Sequence, residues 1–438
     1  MTVIAFVIGI VVLVVGLAVS IALHEVGHLV PAKRFGVRVG QYMIGFGPTL
    51  FSRRYGETQY GVKALPLGGY ISMAGMYPPS SQHGEAVAVA AGEEAARAAG
   101  NAPGRFFATM VQDARLANDE TVIGADDDRV FYRLPVYKRV IIMLGGPLMN
   151  LLLAIVLFTI VLCGFGVQTA TTTISSLSTC VPTSTTSTDC SSTTTPAAQA
   201  GLQPGDRILS IDGTAVSTFA DASAIIQASP GRQLSVVVER GGSEQTLRLT
   251  PAAVDAASTG SGATTQVGFV GIRPVSERER QPIWAGAEAA FQNVGAVAGI
   301  MVQLPVKVYD TAVSLFTGAE RDPNGPMSVV GAGVIAGDVA ASDAPVLDRL
   351  AFILGLLGSL NIALFVFNLI PLLPLDGGHV VVALWDGVKR AVAKLRGTVA
   401  KPVDATKLVP VTFVVVIALI VMGGILIVAD LVNPISLF

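Results

Sequence analysis

The sequence carries little charge for its length. Of its 438 residues, 29 are Lys or Arg and 31 are Asp or Glu, so charged residues make up only 14% of the chain. Soluble domains contain roughly 25%. Hydrophobic residues reach 51%, and so few charges cannot coat the surface of a soluble protein of this size. A purely soluble enzyme is therefore excluded, and the length leaves room for two or three domains.

Cysteine and excess basic charge are equally scarce. Three Cys residues exclude a disulfide-dense fold. A net charge of −2 provides no basic field and the sequence contains no nucleic-acid motif, so no nucleic-acid partner is expected. Cys163 lies inside an apolar stretch. Cys180 and Cys190 lie in a Ser/Thr-rich segment, where a disulfide and two free thiols both remain open.

Four long stretches without a charged side chain indicate a membrane protein. They cover residues 3–23, 140–167, 350–375 and 408–429, and each can cross a hydrocarbon core of ~30 Å. The first could instead be a cleaved signal peptide. However, no Lys or Arg precedes it, and its apolar run exceeds the usual ~7–15 residues. The sequence therefore predicts four transmembrane helices.

Basic residues near the ends of these stretches indicate their orientation. Three follow the first stretch, three precede the second, and six lie between the third and the fourth. Because positively charged loops stay in the cytoplasm, the loops at 34–139 and 380–407 are expected inside. Both termini and the long segment 168–348 are then expected outside.

The loops differ in composition. Residues 58–67 and 70–73, joined by Gly68-Gly69, have the pattern of a hairpin. Residues 78–104 are rich in Ala and Gly, and we expect them to be flexible. Residues 169–195 hold 19 Ser or Thr among 27 residues, a composition that predicts a solvated linker.

A small β-rich domain is predicted over residues 197–274. A turn that ends in Pro204-Gly205-Asp206 leads into a strand over 207–211, and a short helix follows over 219–228. A last strand is predicted over 268–273. The next segment, 283–318, is apolar but interrupted by charges, which favours helices at the membrane surface over a fifth span.

The end of the first apolar stretch carries an H-E-x-x-H motif, His24-Glu25-Val26-Gly27-His28. On a helix, residues four apart share one face, so both imidazoles can bind one metal ion. Zn²⁺ favours imidazole nitrogen and keeps a position for water in catalytic sites. Glu25 would lie where it can take a proton from that water. The alternative is a helix end with two interfacial histidines, but ionisable residues this close to a span are usually functional.

Asp376 is the candidate for the third protein ligand. It follows the third apolar stretch, and the predicted topology puts it on the same side of the membrane as the histidine pair. Pro371 and Pro374 break the helix before it, which frees backbone that must line protein or water. His83 is a weaker candidate because it lies in the flexible segment. A plain turn after the span is the other interpretation of Asp376.

Together these motifs resemble the site-2 protease family, the intramembrane zinc metalloproteases. Residues 24–28 match the family's zinc motif, and residues 368–377 match its Asn-Pro-Asp-Gly region. The sequence is similar to the bacterial branch that has an extracytoplasmic PDZ domain and cuts membrane-bound anti-sigma factors. Shorter matches lie at residues 45–48, 66–70, 146–150, 201–213 and 325–326.

The resemblance implies roles for five residues. His24, His28 and Asp376 would bind Zn²⁺, and Glu25 would be the general base. Asn368 would bind and position the substrate. A hairpin loop associated with the membrane, at about 42–76, would hold the substrate as an extended segment.

The predicted fold is an α-helical membrane protein with four transmembrane helices, a membrane-associated β-hairpin loop and one extracytoplasmic β-rich PDZ domain. Its expected partners are the lipid bilayer and single-span membrane proteins such as pre-clipped anti-sigma factors. The resemblance implies a multi-pass protein of the inner (cytoplasmic) membrane, with its active site near the cytoplasmic side. The expected boundaries are a first transmembrane helix at 1–33, a cytoplasmic loop at 34–139, a second helix at 140–168, the linker at 169–196, the PDZ domain at 197–274, membrane-surface helices at 275–348, a third transmembrane helix at 349–379, a cytoplasmic loop at 380–407 and a fourth helix at 408–432.

Two other functions compete with proteolysis. A membrane-anchored PDZ scaffold without protease activity would carry vestigial metal residues, whereas all four predicted ligand and base residues are intact. A zinc transporter or channel would show further ionisable residues inside its spans, and these spans are nearly bare. Bound zinc together with chelator-sensitive proteolysis would separate the enzyme from both. The sequence indicates no oligomeric state.

Overall fold

The chain forms two compact units in the computed structural model. The helical unit comprises Met1–Phe165 and Pro282–Phe438, and the β unit comprises Gly166–Gln281. The predicted flexible segment 78–104 and His83 lie outside the described residues. Those residues are 2–76, 111, 121, 128–184, 189–192, 194–257, 264–319, 321–322, 325–398, 403 and 405–434.

Nine α-helices and twelve strands make up the described part of the chain. The helices are α1 (Thr2–Arg34), α2 (Val136–Thr159), α3 (Pro196–Gln199), α4 (Phe219–Gln227), α5 (Ala285–Thr317), α6 (Val329–Ala341), α7 (Val346–Asn368), α8 (Asp376–Leu395) and α9 (Val409–Val432). The strands are β1 (Val39–Tyr55), β2 (Thr58–Met73), β3 (Val167–Leu177), β4 (Val181–Pro182), β5 (Cys190–Ser192), β6 (Arg207–Ile211), β7 (Thr214–Ala215), β8 (Leu234–Arg240), β9 (Ser243–Leu249), β10 (Ala252–Ala257), β11 (Thr264–Phe269) and β12 (Ile272–Glu279).

Five of the described helices are long and apolar enough to cross a membrane, namely α1, α2, α5, α7 and α9. Four of them match the predicted spans. The additional one, α5, is a single helix of 33 residues where we expected surface helices. Two of its three charges interrupt the apolar pattern less than expected, because Glu288 lies in the first turn and Lys307 pairs with Asp322 at 3.0 Å, while Asp310 lies inside the helix. The count of four spans therefore stays a prediction.

Glycine allows α1 and α2 to pack with their backbones in contact. A Cβ atom on Gly145 of α2 would lie 2.0 Å from the carbonyl oxygen of Gly27, and one on Gly27 would lie 2.2 Å from that of Gly145. No side chain fits there, so the helices approach more closely than other residues would permit. This contact brings α2 against the H-E-x-x-H turn of α1.

The third apolar stretch is broken as its prolines predict. α7 ends at Asn368 and α8 begins at Asp376, with Pro371 and Pro374 in the connection. The segment predicted as a cytoplasmic loop, 380–407, is helical in its first part, because α8 continues to Leu395. Lys389, Arg390 and Lys394, three of the six basic residues in this segment, lie on that helix.

The long hairpin of β1 and β2 turns at a different place from the one predicted. Tyr55 pairs with Thr58 across a two-residue turn at Gly56 and Glu57. The predicted turn at Gly68-Gly69 is wrong, because both glycines lie inside β2. Gly68 has a φ of +132° and sits where the strand pairing is irregular, so the glycine pair marks a distortion rather than a reversal.

The β unit is built on a six-stranded antiparallel sheet with the order β12-β3-β6-β8-β9, and β7 also pairs with β6. The predicted strand at Arg207–Ile211 and the helix that begins at Phe219 are confirmed. The predicted strand over 268–273 is wrong. β11 ends at Phe269 and β12 begins at Ile272, because Gly271 adopts a φ of +81° between them.

The Ser/Thr-rich segment is only partly a linker. Its first part forms β3, which pairs with β12 and β6, so the prediction of a linker over 169–196 is wrong there. Threonine is β-branched and fits a strand. Hydroxyls of Thr171 and Ser175 donate to backbone carbonyls of β12 at 3.0 Å. Farther along, Cys180 and Cys190 form a disulfide, which decides between the two alternatives.

Buried Asp206 and half-buried Arg240 form an ion pair that closes the predicted turn at 201–206. Arg240 donates to both carboxylate oxygens of Asp206 at 2.7 Å, and the amide of Gln203 donates at 2.8 Å. The hydrogen bonds from Arg240 hold the pKa of Asp206 below its usual range. The charged carboxylate is therefore favoured in the folded state.

Replacing Asp206 with Asn should loosen the β unit. Losing charge-assisted hydrogen bonds destabilises the folded state, so the amides of β6 should exchange with deuterium about tenfold faster in the full-length variant. Because the native pKa is lowered, the stabilisation is complete at neutral pH and fades as the pH falls below about 4. The gap between wild type and variant should narrow over that range. A gap that widens on acidification would contradict this account.

Candidate metal centre

Two histidines of α1 lie side by side, one helical turn apart. The Nε2 atoms of His24 and His28 are 3.2 Å apart, and the His28 side chain is only 6% exposed. α1 contacts both the β1–β2 hairpin and α2 in this region. The motif thus lies inside the helical unit, away from bulk solvent.

Asp376, the first residue of α8, completes the group. Its Oδ2 atom lies 3.3 Å from Nε2 of His24 and 3.4 Å from Nε2 of His28. These three residues form a group of ligand atoms that could hold a metal ion. Segments about 350 residues apart in the sequence therefore supply one cluster.

The donors in this group fit zinc. Ligands at about 2.0–2.2 Å from a tetrahedral Zn²⁺ lie about 3.3 Å from each other, which matches the three separations of 3.2, 3.3 and 3.4 Å. Oδ2 of Asp376 is buried and makes no hydrogen bond to any described residue. Both imidazole Nε2 atoms lie within 3.4 Å of it, as expected of atoms that share one metal ion.

Groups from α2 orient both imidazoles. The carbonyl oxygen of Ile142 lies 2.7 Å from Nδ1 of His28, so that nitrogen donates its proton and Nε2 keeps its lone pair. The side-chain amide of Asn150, 1% exposed, lies 3.2 Å from Nδ1 of His24. Its Oδ1 atom has no partner among the described residues. Because amide O and N are assigned from the hydrogen-bond network, a half-turn of the amide places Oδ1 where it can accept the Nδ1 proton of His24.

Asn150 is therefore expected to set the zinc affinity of the site. Replacing it with Leu, which keeps the size and removes the acceptor, should weaken zinc binding about 10- to 100-fold. Asn150→Asp keeps an acceptor and should retain most of the affinity. Competition with a chromogenic chelator measures both, and thermal unfolding of the zinc-free proteins controls for packing. Equal loss in the two variants would show that the acceptor does not matter.

Glu25 lies between the metal centre and the hairpin. Its side chain is buried, at 8% exposure for the residue. A Cβ atom on Gly69 of β2 would lie 2.8 Å from Cγ and 3.1 Å from Oε1 of Glu25. The missing side chain at Gly69 thus makes room for this carboxylate beside the β2 backbone.

Tyr42 of β1 links the hairpin to α1 close to the metal centre. Its hydroxyl donates to the carbonyl oxygen of Ala22 at 2.8 Å. Burial, and next the charge of Glu25, raise the pKa of Tyr42 to about 12. The phenol therefore stays protonated at neutral pH and keeps this hydrogen bond.

Because Gly146 has no side chain, the two imidazoles fit against α2. A Cβ atom there would lie 2.2 Å from Nε2 of His28 and 2.8 Å from Cε1 of His24. The sequence singled out 146–150 only as a short family match. The spacing of residues in the sequence predicts neither that Gly146 lies against the two imidazoles nor that Asn150 contacts His24.

Asn368 and Asn361 lie on α7. Asn368 is the last residue of that helix and half-buried, and it is not one of the clustered ligand residues. The sequence analysis missed Asn361, which is fully buried and donates to Oγ of Ser20 at 2.9 Å. This polar contact links α7 to α1 one turn before the H-E-x-x-H motif. Its signal in the sequence is an Asn in the middle of an apolar stretch.

Comparison with known proteins agrees with this geometry. The chain is 34% identical to the zinc metalloprotease Rip1 of Mycobacterium tuberculosis, over 99% of both chains. It is 33% identical to Rip1 of Mycolicibacterium smegmatis, again over 99% of both. The metalloprotease MmpA of Caulobacter vibrioides is 28% identical over 88% of each chain.

The family comparison covers most of the chain. Residues 12–403 match the model of peptidase family M50, the site-2 proteases, and this range includes both the H-E-x-x-H motif and Asp376. The predicted enzyme class, a membrane zinc metalloprotease, is confirmed at the level of the family. The chain belongs to peptidase family M50.

Proposed function

We propose that this chain hydrolyses peptide bonds in or near the transmembrane segment of single-span membrane proteins. His24, His28 and Asp376 hold the zinc, and Glu25 is the general base. The convergence of the three ligand atoms, with separations of 3.2 to 3.4 Å, is the observation that carries the proposal. Zinc bound there supplies a Lewis acid that polarises the scissile carbonyl and acidifies water.

Glu25 handles the proton in this scheme. Its carboxylate takes a proton from the attacking water and then passes it to the nitrogen of the leaving peptide. The Glu25 side chain is buried beside the β2 backbone, so few water molecules compete with the reacting one. His24 and His28 keep their lone pairs on Nε2 because groups of α2 occupy their other nitrogens.

The hairpin supports a role in presenting the substrate. A transmembrane helix hides its peptide bonds in its own hydrogen bonds, so it must unwind before it is cut. An unwound segment can add to the open edge of a strand. Because Gly69 of β2 faces Glu25, a segment paired there would pass close to the base. Asn368, at the end of α7, is proposed to position that segment.

The arrangement in the membrane is also proposed. Four spans, formed by α1, α2, α7 and α9, leave the basic segments at 34–139 and 380–407 in the cytoplasm. The β unit then lies outside the cytoplasm, and we propose that it is a PDZ domain. The metal centre lies near the cytoplasmic side, and pre-clipped anti-sigma factors are the proposed substrates.

Purified protein in lipid nanodiscs and a single-span reporter test this function. The reporter should be cut within its apolar segment, a zinc chelator should stop the reaction, and added Zn²⁺ should restore it. His28→Ala is the matched control, because it removes one ligand. Cleavage that persists in the chelator or in this variant would contradict the proposal.

A further inference from the structure

α8 has two different faces. Ala383 and Asp386 are buried on one side, where the helix contacts α2. The opposite side carries six large apolar residues at helical spacing, which we call the apolar stripe. Between 39% and 88% of each is exposed in the described part of the chain, and the stripe consists of Val381, Leu384, Trp385, Val388, Val392 and Leu395.

The second half of α8 extends beyond α2. Asp386 pairs with Arg139 at 2.5 Å, and a Cβ atom on Gly387 would lie 3.1 Å from Val136, the first residue of α2. α8 therefore runs antiparallel to α2, and Gly387 lies level with the first residue of α2. Residues 388–395 continue for about 12 Å at ~1.5 Å per residue, and we call them the outer half of α8.

The outer half is strongly basic. Residues 388–398 contain Lys389, Arg390, Lys394 and Arg396 and no acidic residue. Arg390 bonds to Asp386 at 2.7 Å. On the helix, Lys389 and Arg396 border the apolar stripe. An apolar stripe with basic flanks is typical of helices that lie in the interface of an anionic membrane.

The charges also distinguish between possible partners. A second copy would bring the four basic residues of 388–398 against the same four, and like charges repel. An anionic lipid surface provides both the apolar region that the stripe needs and the negative charge that the flanks need. Each Lys or Arg near such a surface strengthens binding about fivefold.

We propose that the outer half of α8 lies on an anionic membrane surface. The stripe enters the boundary between headgroups and acyl chains, and Lys389, Lys394 and Arg396 contact lipid phosphates. The lipid contact stands independently of the catalytic assignment. Its consequence rests on the proposed function: because Asp376 begins the same helix, the lipid holds the third zinc ligand in place.

A single-tryptophan protein tests the contact directly. Val392→Trp in a protein that also carries Trp284→Phe and Trp385→Phe reports on the outer half. Brominated phosphatidylglycerol in a phosphatidylcholine nanodisc should quench this tryptophan more than brominated phosphatidylcholine does in a phosphatidylglycerol nanodisc, at equal mole fraction. Lys389→Gln with Arg396→Gln should reduce that preference severalfold, as should high salt. Arg207→Gln with Arg248→Gln, in the β unit, is the matched control and should change nothing.

Two results would overturn the lipid contact. Equal quenching by both brominated lipids would show an apolar contact without selection for anionic lipid, and absent quenching would show that protein covers the stripe. Cleavage of the single-span reporter is measured separately and should fall severalfold in the Lys389→Gln/Arg396→Gln protein. If quenching responds and cleavage does not, the link to Asp376 is wrong while the lipid contact stands. Chelator-resistant cleavage would instead refute the proposed function.

Discussion

Replacing Glu25 with Gln is expected to abolish cleavage and to leave zinc in place. The amide has nearly the size of the carboxylate and fits the space beside Gly69, but it cannot accept a proton from water. Proton transfer by a positioned side chain contributes about 100- to 10,000-fold to the rate. Glu25 is not one of the three clustered ligand residues, so zinc affinity should change little.

Metal analysis and single-turnover cleavage of the reporter measure the two effects separately. His28→Ala serves as the contrast, since it should lose zinc and activity together. A Glu25→Gln protein that cuts at the wild-type rate would remove Glu25 from the role of base. One that loses its zinc would show that the carboxylate contributes to holding the metal.

Replacing Gly146 with Ala is expected to destroy the metal centre. The added methyl group would lie 2.2 Å from Nε2 of His28, well inside contact distance, so either the ring or α2 must move. α2 cannot retreat without opening its backbone contact with Gly27. Loss of a direct ligand should exceed the roughly 10- to 100-fold loss of zinc affinity caused by changes behind the ligands.

Gly164→Ala is the matched control for this variant. It follows α2 in the continuing helical turn, and a Cβ there meets nothing within 4 Å, so zinc binding should be unchanged. Chelator competition gives the affinities, and helix content by circular dichroism shows whether the Gly146→Ala protein still folds. Wild-type affinity in the Gly146→Ala protein would mean that the imidazoles do not bind metal from the positions described here.

The ligand cluster could be anticipated because its signals are local. Two histidines four apart predict a shared helix face, and charge placement puts Asp376 on the same side of the membrane. Their convergence in the structure agrees with that expectation, while the role of each residue stays a prediction. Asn150 and Gly146 could not be found in this way, because their importance comes from how closely α2 approaches α1.

The errors in the fold have similar causes. Gly68-Gly69 looks like a turn in sequence, although β2 tolerates the pair as a distortion opposite β1. The Ser/Thr-rich segment holds few apolar residues, yet β3 forms because neighbouring strands supply hydrogen bonds and a core for Ile174. Composition describes the propensities of one segment, whereas strand pairing also depends on the neighbouring strands.

The position of Asp376 has a consequence for the durability of the fold. Because the ligands come from α1 and from the start of α8, a bound ion links two helices that lie far apart in the sequence. A ligand that binds only the folded state stabilises it by RT ln(1 + [L]/Kd), so each tenfold rise in free zinc above Kd adds about 1.4 kcal/mol. The same ion that serves the chemistry would thus also stabilise the fold, and the thermal stability of the helical unit would depend on the zinc supply of the cell.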